Sequence, residues 1–283
     1  MSIKIVTDST CYIPKDIRES HDISIVSLSV NFESKTYIEE ETDYTDFYER
    51  LSESDILPTS SQPSLHSLIN CFENIVSAGN SIVGVFISSL MSGTYSAALT
   101  AKNIIVKKYP QANIEIVDSK SNSMEMGLAV LAGAIAAKTE ESIKDVIDSI
   151  NYIIDRSRFL FVPETLTYLK KGGRIGTASA LLGTILHIKP ILTVTDGMTT
   201  VFDKVRTKKK AVEKIVDFFL EEIKEKGLGQ VVVHHINCEA EGRNLADLIQ
   251  SKIGKEVPVY AIGPVIGLHV GPGTIGIAYY TER

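Results

Sequence analysis

Residues 88–96, Ser-Ser-Leu-Met-Ser-Gly-Thr-Tyr-Ser, crowd hydroxyls around a single glycine. The apolar, β-branched run 82–87 before them reads as a strand covered on both faces, and Ala97, Ala98, Ala101, Ile104 and Ile105 after them recur at helical spacing. A strand-to-helix turn of this kind leaves backbone N–H groups without carbonyl partners at the positive end of the helix dipole, which suits a phosphate or a carboxylate. Ser92 and Thr94 add side-chain donors, although capping the helix is the commoner duty of any one such hydroxyl.

A second hydroxyl cluster lies at 58–64, Pro-Thr-Ser-Ser-Gln-Pro-Ser, whose two prolines predict a segment outside helix and sheet. With Ser64 assigned to capping the next helix, Thr59, Ser60, Ser61 and Gln62 remain as short donors able to face the Ser92 turn; alone, the segment is equally a solvated connection. A third segment, 263–276, reads as an apolar, glycine-dense loop around His269, where glycines let backbone approach a ligand closely. Gly271, Gly273 and Gly276 in it match the dinucleotide fingerprint by spacing, but no helix follows and no acidic residue trails at the required distance. No phosphate-binding loop ending in Gly-Lys-Ser/Thr occurs either, so the chain carries no nucleotide motif.

Positive charge gathers at two places. Lys170 and Lys171 precede Gly172, Gly173 and Arg174, whose planar fork suits a carboxylate or phosphate, against the alternative of a solvated surface turn. Arg206, Lys208 and Lys209 open a helix, where cations are mildly unfavourable for the dipole; a docking face for an acidic partner competes there with a plain solvated face. His234 and His235 alternate along a strand and so point to opposite faces, which argues against a shared metal. Ser92, Asp118 and His269 also fall in the chain order of an α/β-hydrolase triad. The glycine two places before the serine is missing, so a serine hydrolase stands as the alternative reading.

These segments need elements to hold them. In the first half, strand-like runs at 3–6, 23–32, 82–87 and 114–117 alternate with helical patterns near 14–20, 43–52, 64–78, 96–108, 123–138 and 143–155. Such alternation predicts a mainly parallel sheet with helices on both faces, binding ligands beyond the carboxyl ends of its strands. Three loops there carry hydroxyls: 7–10, 88–96 and 118–121. In the second half, strand patterns at 159–162, 191–194, 199–205, 231–235, 257–261 and 275–280 outnumber two long helical patterns at 208–226 and 239–253, and Asp196-Gly197 signals a hairpin. The expected fold class is α/β in two domains: residues 1–155 with the parallel sheet, residues 156–283 with a mainly antiparallel α+β arrangement, and the ligand between them.

Composition agrees with a soluble globular chain: 283 residues, 44% hydrophobic and 23% charged. A net charge of −6 argues against a general nucleic-acid binder. Three cysteines far apart suggest reduced thiols rather than a disulfide framework or a zinc site. The N-terminus lacks a secretory cleavage pattern, and the most apolar stretch, 126–137, is too short to span a bilayer, so a cytoplasmic protein is expected.

Thr7-Asp8-Ser9-Thr10, the 59–64 segment, Ser92-Gly93-Thr94-Tyr95, Lys171-Gly172-Gly173-Arg174-Ile175 and the 263–269 segment, in this order, resemble the DegV family over essentially the whole chain. The resemblance implies a two-domain α/β protein that holds one long-chain fatty acid between its domains. Bacterial members called FakB present that acid to the kinase FakA, which phosphorylates the carboxylate from ATP for phospholipid synthesis. It further implies a carboxylate set against Ser92 and the Gly93 amide, with Ser60 opposite and His269 and Arg174 beside it. The family usually has threonine where this chain has Ser60, which leaves open whether Ser60 or Ser61 makes the contact. Arg206 and the neighbouring Lys208 and Lys209 resemble the kinase-facing part. No catalysis by the chain alone, no cofactor and no metal are implied.

Overall fold

The computed structural model describes residues 2–54, 56–139, 142–182 and 188–283. Four parallel strands lie side by side in the order Ile23–Val26, Ile3–Asp8, Ser81–Phe86, Ile114–Asp118. Strand alternation divides their side chains between two apolar layers. Val6, Ile82 and Phe86 pack with Phe72, Ala101 and Ile105 from helices Leu65–Ser77 and Thr94–Lys108. Ile5, Val83 and Val85 face the other way, toward helix Ser123–Thr139.

That helix also touches a second sheet of six strands, ordered Met198–Val205, Lys189–Thr195, Ser157–Val162, Ile275–Thr281, Leu228–His235, Val259–Ala261. Its pairs are antiparallel except the last, which is parallel. One face, with Leu160, Val162, Val233 and Ile277, is covered by helices Lys208–Lys226 and Glu239–Ile253. Phe159, Phe161, Leu192, Val232 and Ala278 on the other face join the layer that holds Ile5 and Val83. Helices, sheet, helix, sheet and helices are thus stacked in sequence, and one apolar core runs through the middle.

Three expectations need correction. The run 23–32 is not one strand: after Val26 the chain leaves the parallel sheet, and Ser29–Phe32 forms a separate antiparallel sheet with Lys35–Ile38 and Thr59–Ser61. The proline-bounded segment 58–64 therefore contains a short edge strand, which the prolines tolerate because they flank it. The glycine-dense segment after Gly263 is not a loop throughout, because Pro264–Val270 is helical with proline in the first turn, where its missing N–H costs nothing. The hairpin at Asp196-Gly197 is present, both residues having positive φ.

Candidate functional site

The turn after Ser81–Phe86 is built by its own hydroxyls. The Ile87 N–H donates to the buried Asp8 carboxylate at 2.8 Å, and the Ser88 N–H donates to the Ser121 carbonyl at 2.8 Å. Ser88 Oγ donates to the Gly197 carbonyl at 2.7 Å, which docks the 195–198 hairpin onto the turn. The Met91 and Ser92 N–H groups return to the Ser88 carbonyl, and helix Thr94–Lys108 starts from Gly93. Ser92 Oγ meets Thr94 Oγ1 at 2.9 Å and accepts from the Thr94 N–H at 3.3 Å. Gly93 caps the helix with no side chain, and a methyl group there would overlap the Gln62 amide oxygen.

Opposite this turn, the edge strand Thr59–Ser61 sends alternate side chains to opposite sides. Ser60 Oγ lies 2.8 Å from His269 Nε2, whereas Ser61 Oγ accepts from Asn31 Nδ2 at 2.8 Å. Helix Pro264–Val270 brings His269 there, and the Gly172 backbone presses against the far side of the ring so closely that a methyl group would overlap Nδ1. Nδ1 is buried and has no hydrogen-bond partner among the described residues. Burial first, and the Arg174 cation second, push the His269 pKa down to about 4, so the ring is neutral at pH 7. Arg174 closes the ring of groups: its Nε donates to the Met91 carbonyl at 3.1 Å and a terminal nitrogen donates to the Gly172 carbonyl at 2.8 Å.

Ser60, Ser92, Gly93, Arg174 and His269 thus line one cavity of about 160 Å³, joined by Gln62, Asn122 and Thr199. Its remaining wall is apolar, with Leu28, Phe159, Phe161, Leu169, Val265 and Ile266. Sequence reasoning separated neither Ser60 from Ser61 nor the role of Gly172 from its neighbours; in the structure Ser60 lines the cavity beside His269, Ser61 bonds Asn31 instead, and Gly172 packs on the His269 ring. Asn122 was missed, standing one place beyond the hydroxyl loop 118–121. Within the loop 7–10, Asp8 and Thr10 are buried and bonded to each other, and none of its residues lines the cavity.

The triad order is not realised as a triad. Asp118 Oδ1 accepts from the Ser89 and Lys120 N–H groups at 3.2 and 2.9 Å, Ser92 pairs with Thr94, and His269 pairs with Ser60. His234 and His235 hold no metal set, and no group of metal-ligating side chains occurs among the described residues. His234 is a core residue, accepting from the Met124 N–H at 3.1 Å with its other nitrogen 2.9 Å from the Tyr260 carbonyl. Of the three basic residues, Arg206 and Lys209 are exposed, but Lys208 turns inward. Its ammonium donates to the Gly273 carbonyl at 2.7 Å and pairs with Glu241 at 2.6 Å. Among the described residues no helix is long and apolar enough to cross a membrane.

The model of the DegV family matches residues 2–282. The chain belongs to the DegV family. A DegV domain-containing protein of Clostridium acetobutylicum is 49% identical over 283 residues, covering 100% of this chain and 99% of that protein. Among solved structures, DegV of Bacillus subtilis, described as a fatty acid binding protein, is 34% identical with a TM-score of 0.89, covering 99% of both chains. A stearic acid-binding protein of Eubacterium ventriosum is 28% identical with a TM-score of 0.91, covering 99% of this chain and 98% of its own. These neighbours share the DegV fold of a parallel and a mostly antiparallel sheet, and they bind fatty acids.

Proposed function

We propose that this DegV-family chain binds one long-chain fatty acid, with the carboxylate held at the polar end of the cavity by Ser92, the Gly93 N–H and Ser60, with Arg174 balancing its charge and the neutral His269 orienting Ser60. The observation that carries this reading is the cavity itself: Ser60, Ser92, Gly93, Arg174 and His269 gather in one cavity whose wall otherwise includes Leu28, Phe159, Phe161, Leu169, Val265 and Ile266. A carboxylate is already ionised at neutral pH, so His269 is asked to orient and to donate rather than to remove a proton. A tail of about fourteen methylenes gains on the order of 11 kcal/mol gross at ~0.8 per methylene, before the cost of ordering it. Each charged hydrogen bond at the head group contributes about 1.5–3 kcal/mol. Affinity therefore comes mostly from the tail, and the hydroxyl turn sets orientation.

In this reading residues 1–155 and 156–283 act as two domains around the ligand, and the chain performs no catalysis alone. It presents the carboxylate, in the cytoplasm, to a FakA-like kinase whose acyl-phosphate product feeds phospholipid synthesis, with exposed Arg206 and Lys209 as the docking cations. Native mass spectrometry of the purified protein tests the binding reading: one co-purified fatty acid per chain is expected. An empty protein that also refuses added oleate and palmitate would overturn it.

A further inference from the structure

Glu39 is a buried acidic side chain that joins Ser9 and Tyr12 to the helix that carries His269. It is 1% exposed, and its partners are neutral donors from three places. Ser9 Oγ donates to one carboxylate oxygen at 2.6 Å; the Tyr12 hydroxyl at 2.8 Å and the Val265 N–H at 2.9 Å donate to the other. Each donor is itself a link. Ser9 Oγ accepts from the Leu28 N–H at 3.0 Å, and the Tyr12 hydroxyl accepts from the Ile266 N–H at 3.3 Å. The Glu39 N–H in turn donates to the Leu28 carbonyl at 3.1 Å.

Leu28, Val265, Ile266, His269 and Val270 all line the cavity, whereas Glu39 does not. One carboxylate thus ties two facing walls of the site from behind. The helix is short, and its opening N–H groups have no carbonyl partners within it, so an acceptor at this end satisfies groups that an apolar residue of equal size would leave bare. From this geometry we infer that Glu39 is a positioning residue: it holds helix Pro264–Val270 against the Leu28 wall and thereby sets His269 beside Ser60. Burial raises the Glu39 pKa to about 7, with Asp8 adding to the rise and Ser9, Val265 and Tyr12 opposing it; Tyr44 and Tyr48 are the further titratable groups around it.

The inference rests on the fatty-acid reading for its binding arm only. Two readouts test it: affinity for cis-parinaric acid, a fluorescent long-chain acid, and the titration of His269 followed by NMR in delipidated protein. Glu39→Ala is expected to lower affinity about tenfold or more, because the released helix no longer holds His269 beside Ser60. It is also expected to raise the His269 pKa by about one unit or more as water reaches the released ring. Glu39→Gln, which still accepts from the Val265 N–H, should restore both readouts most of the way. Folded Glu39→Ala with wild-type affinity and an unmoved His269 overturns the inference. Should that variant fail to fold, Tyr12→Phe decides: a weaker shift in the same direction on both readouts supports the role, and none on either overturns it. Wild-type protein that does not bind cis-parinaric acid defeats the fatty-acid reading, and the His269 titration then decides the positioning role alone.

Discussion

Ser60 Oγ and His269 Nε2 lie 2.8 Å apart, joining an edge strand to a helix 209 residues further along the chain. In the neutral tautomer that carries its proton on Nε2, the ring would donate to the serine oxygen and leave the serine hydroxyl free to donate to a bound carboxylate. Two elements without any sequence proximity thereby present one donor to the cavity.

Replacement of either serine of the pair at 60 and 61 separates the two sides of that strand. Ser60→Ala should weaken long-chain fatty-acid binding by about tenfold, the size of one charged hydrogen bond. Ser61→Ala removes a contact to Asn31 only and should leave affinity within about twofold, an effect too small to count as a lost hydrogen bond. Titration with cis-parinaric acid measures both.

Gly172→Ala should act through packing. The added methyl group overlaps the His269 ring, so the ring or the 171–174 turn must shift. A stability loss of about 1–3 kcal/mol is expected from overpacking a rigid contact. Denaturant unfolding measures it, and loss of the neutral, low-pKa signature of His269 by NMR shows that the ring has moved.

The pH dependence of stability has opposing parts. His269 and His234 have folded pKa values lowered to about 4, below the unfolded value near 6.5, so they contribute stability above pH 6.5 that is lost as pH falls toward 4. Asp8, Glu39 and Glu125 are raised by burial to about 6, 7 and 7, so their contribution is fully present below about pH 4 and is lost as pH rises through those values. His269→Asn removes one histidine from this balance. Relative to wild type the variant should gain stability as pH falls from 6.5 to 4, by on the order of 3 kcal/mol at about 1.36 per pK unit. Urea unfolding of both proteins across that range checks the sign.

Lys208 and its exposed neighbours should part company. Lys208→Ala breaks a bond to the Gly273 carbonyl and ion pairs to Glu241 and Glu164, so its Tm should fall. Arg206→Ala and Lys209→Ala should leave Tm unchanged and lower acyl-phosphate formation with a FakA-like kinase. Unchanged product from both would remove the docking role from this helix start.

Much of this was legible from residue patterns. Periodicity placed the helices at Lys208–Lys226 and Glu239–Ile253 closely, because burial on one face imposes its period on the sequence, and the strand Ser81–Phe86, buried on both faces, showed as a continuous apolar run. It could not show that 23–32 serves two sheets, since Val26 and Val30 are both fully apolar positions and only their packing partners differ. The 263–270 segment misled for a definite reason. Gly267 suggests flexibility, but it is helical, and glycine stands there because a side chain would overlap the Tyr48 hydroxyl. In the same way Asp8 reads as a ligand-facing loop residue, yet its carboxylate is spent on the Ile87 N–H, holding the hydroxyl turn from beneath. Hydroxyl clusters identify a polar end; which hydroxyl faces the cavity follows from strand pairing, which one sequence does not state.

Helix Ser123–Thr139 is buried around most of its circumference, touching the parallel sheet on one side and the six-stranded sheet on the other. Neither sheet can lose its structure without stripping this helix of its apolar contacts on that side, so the two halves are expected to unfold together in one calorimetric transition. A fragment ending at residue 155 would carry the helix with one flank bare to water, prone to self-association rather than independent folding.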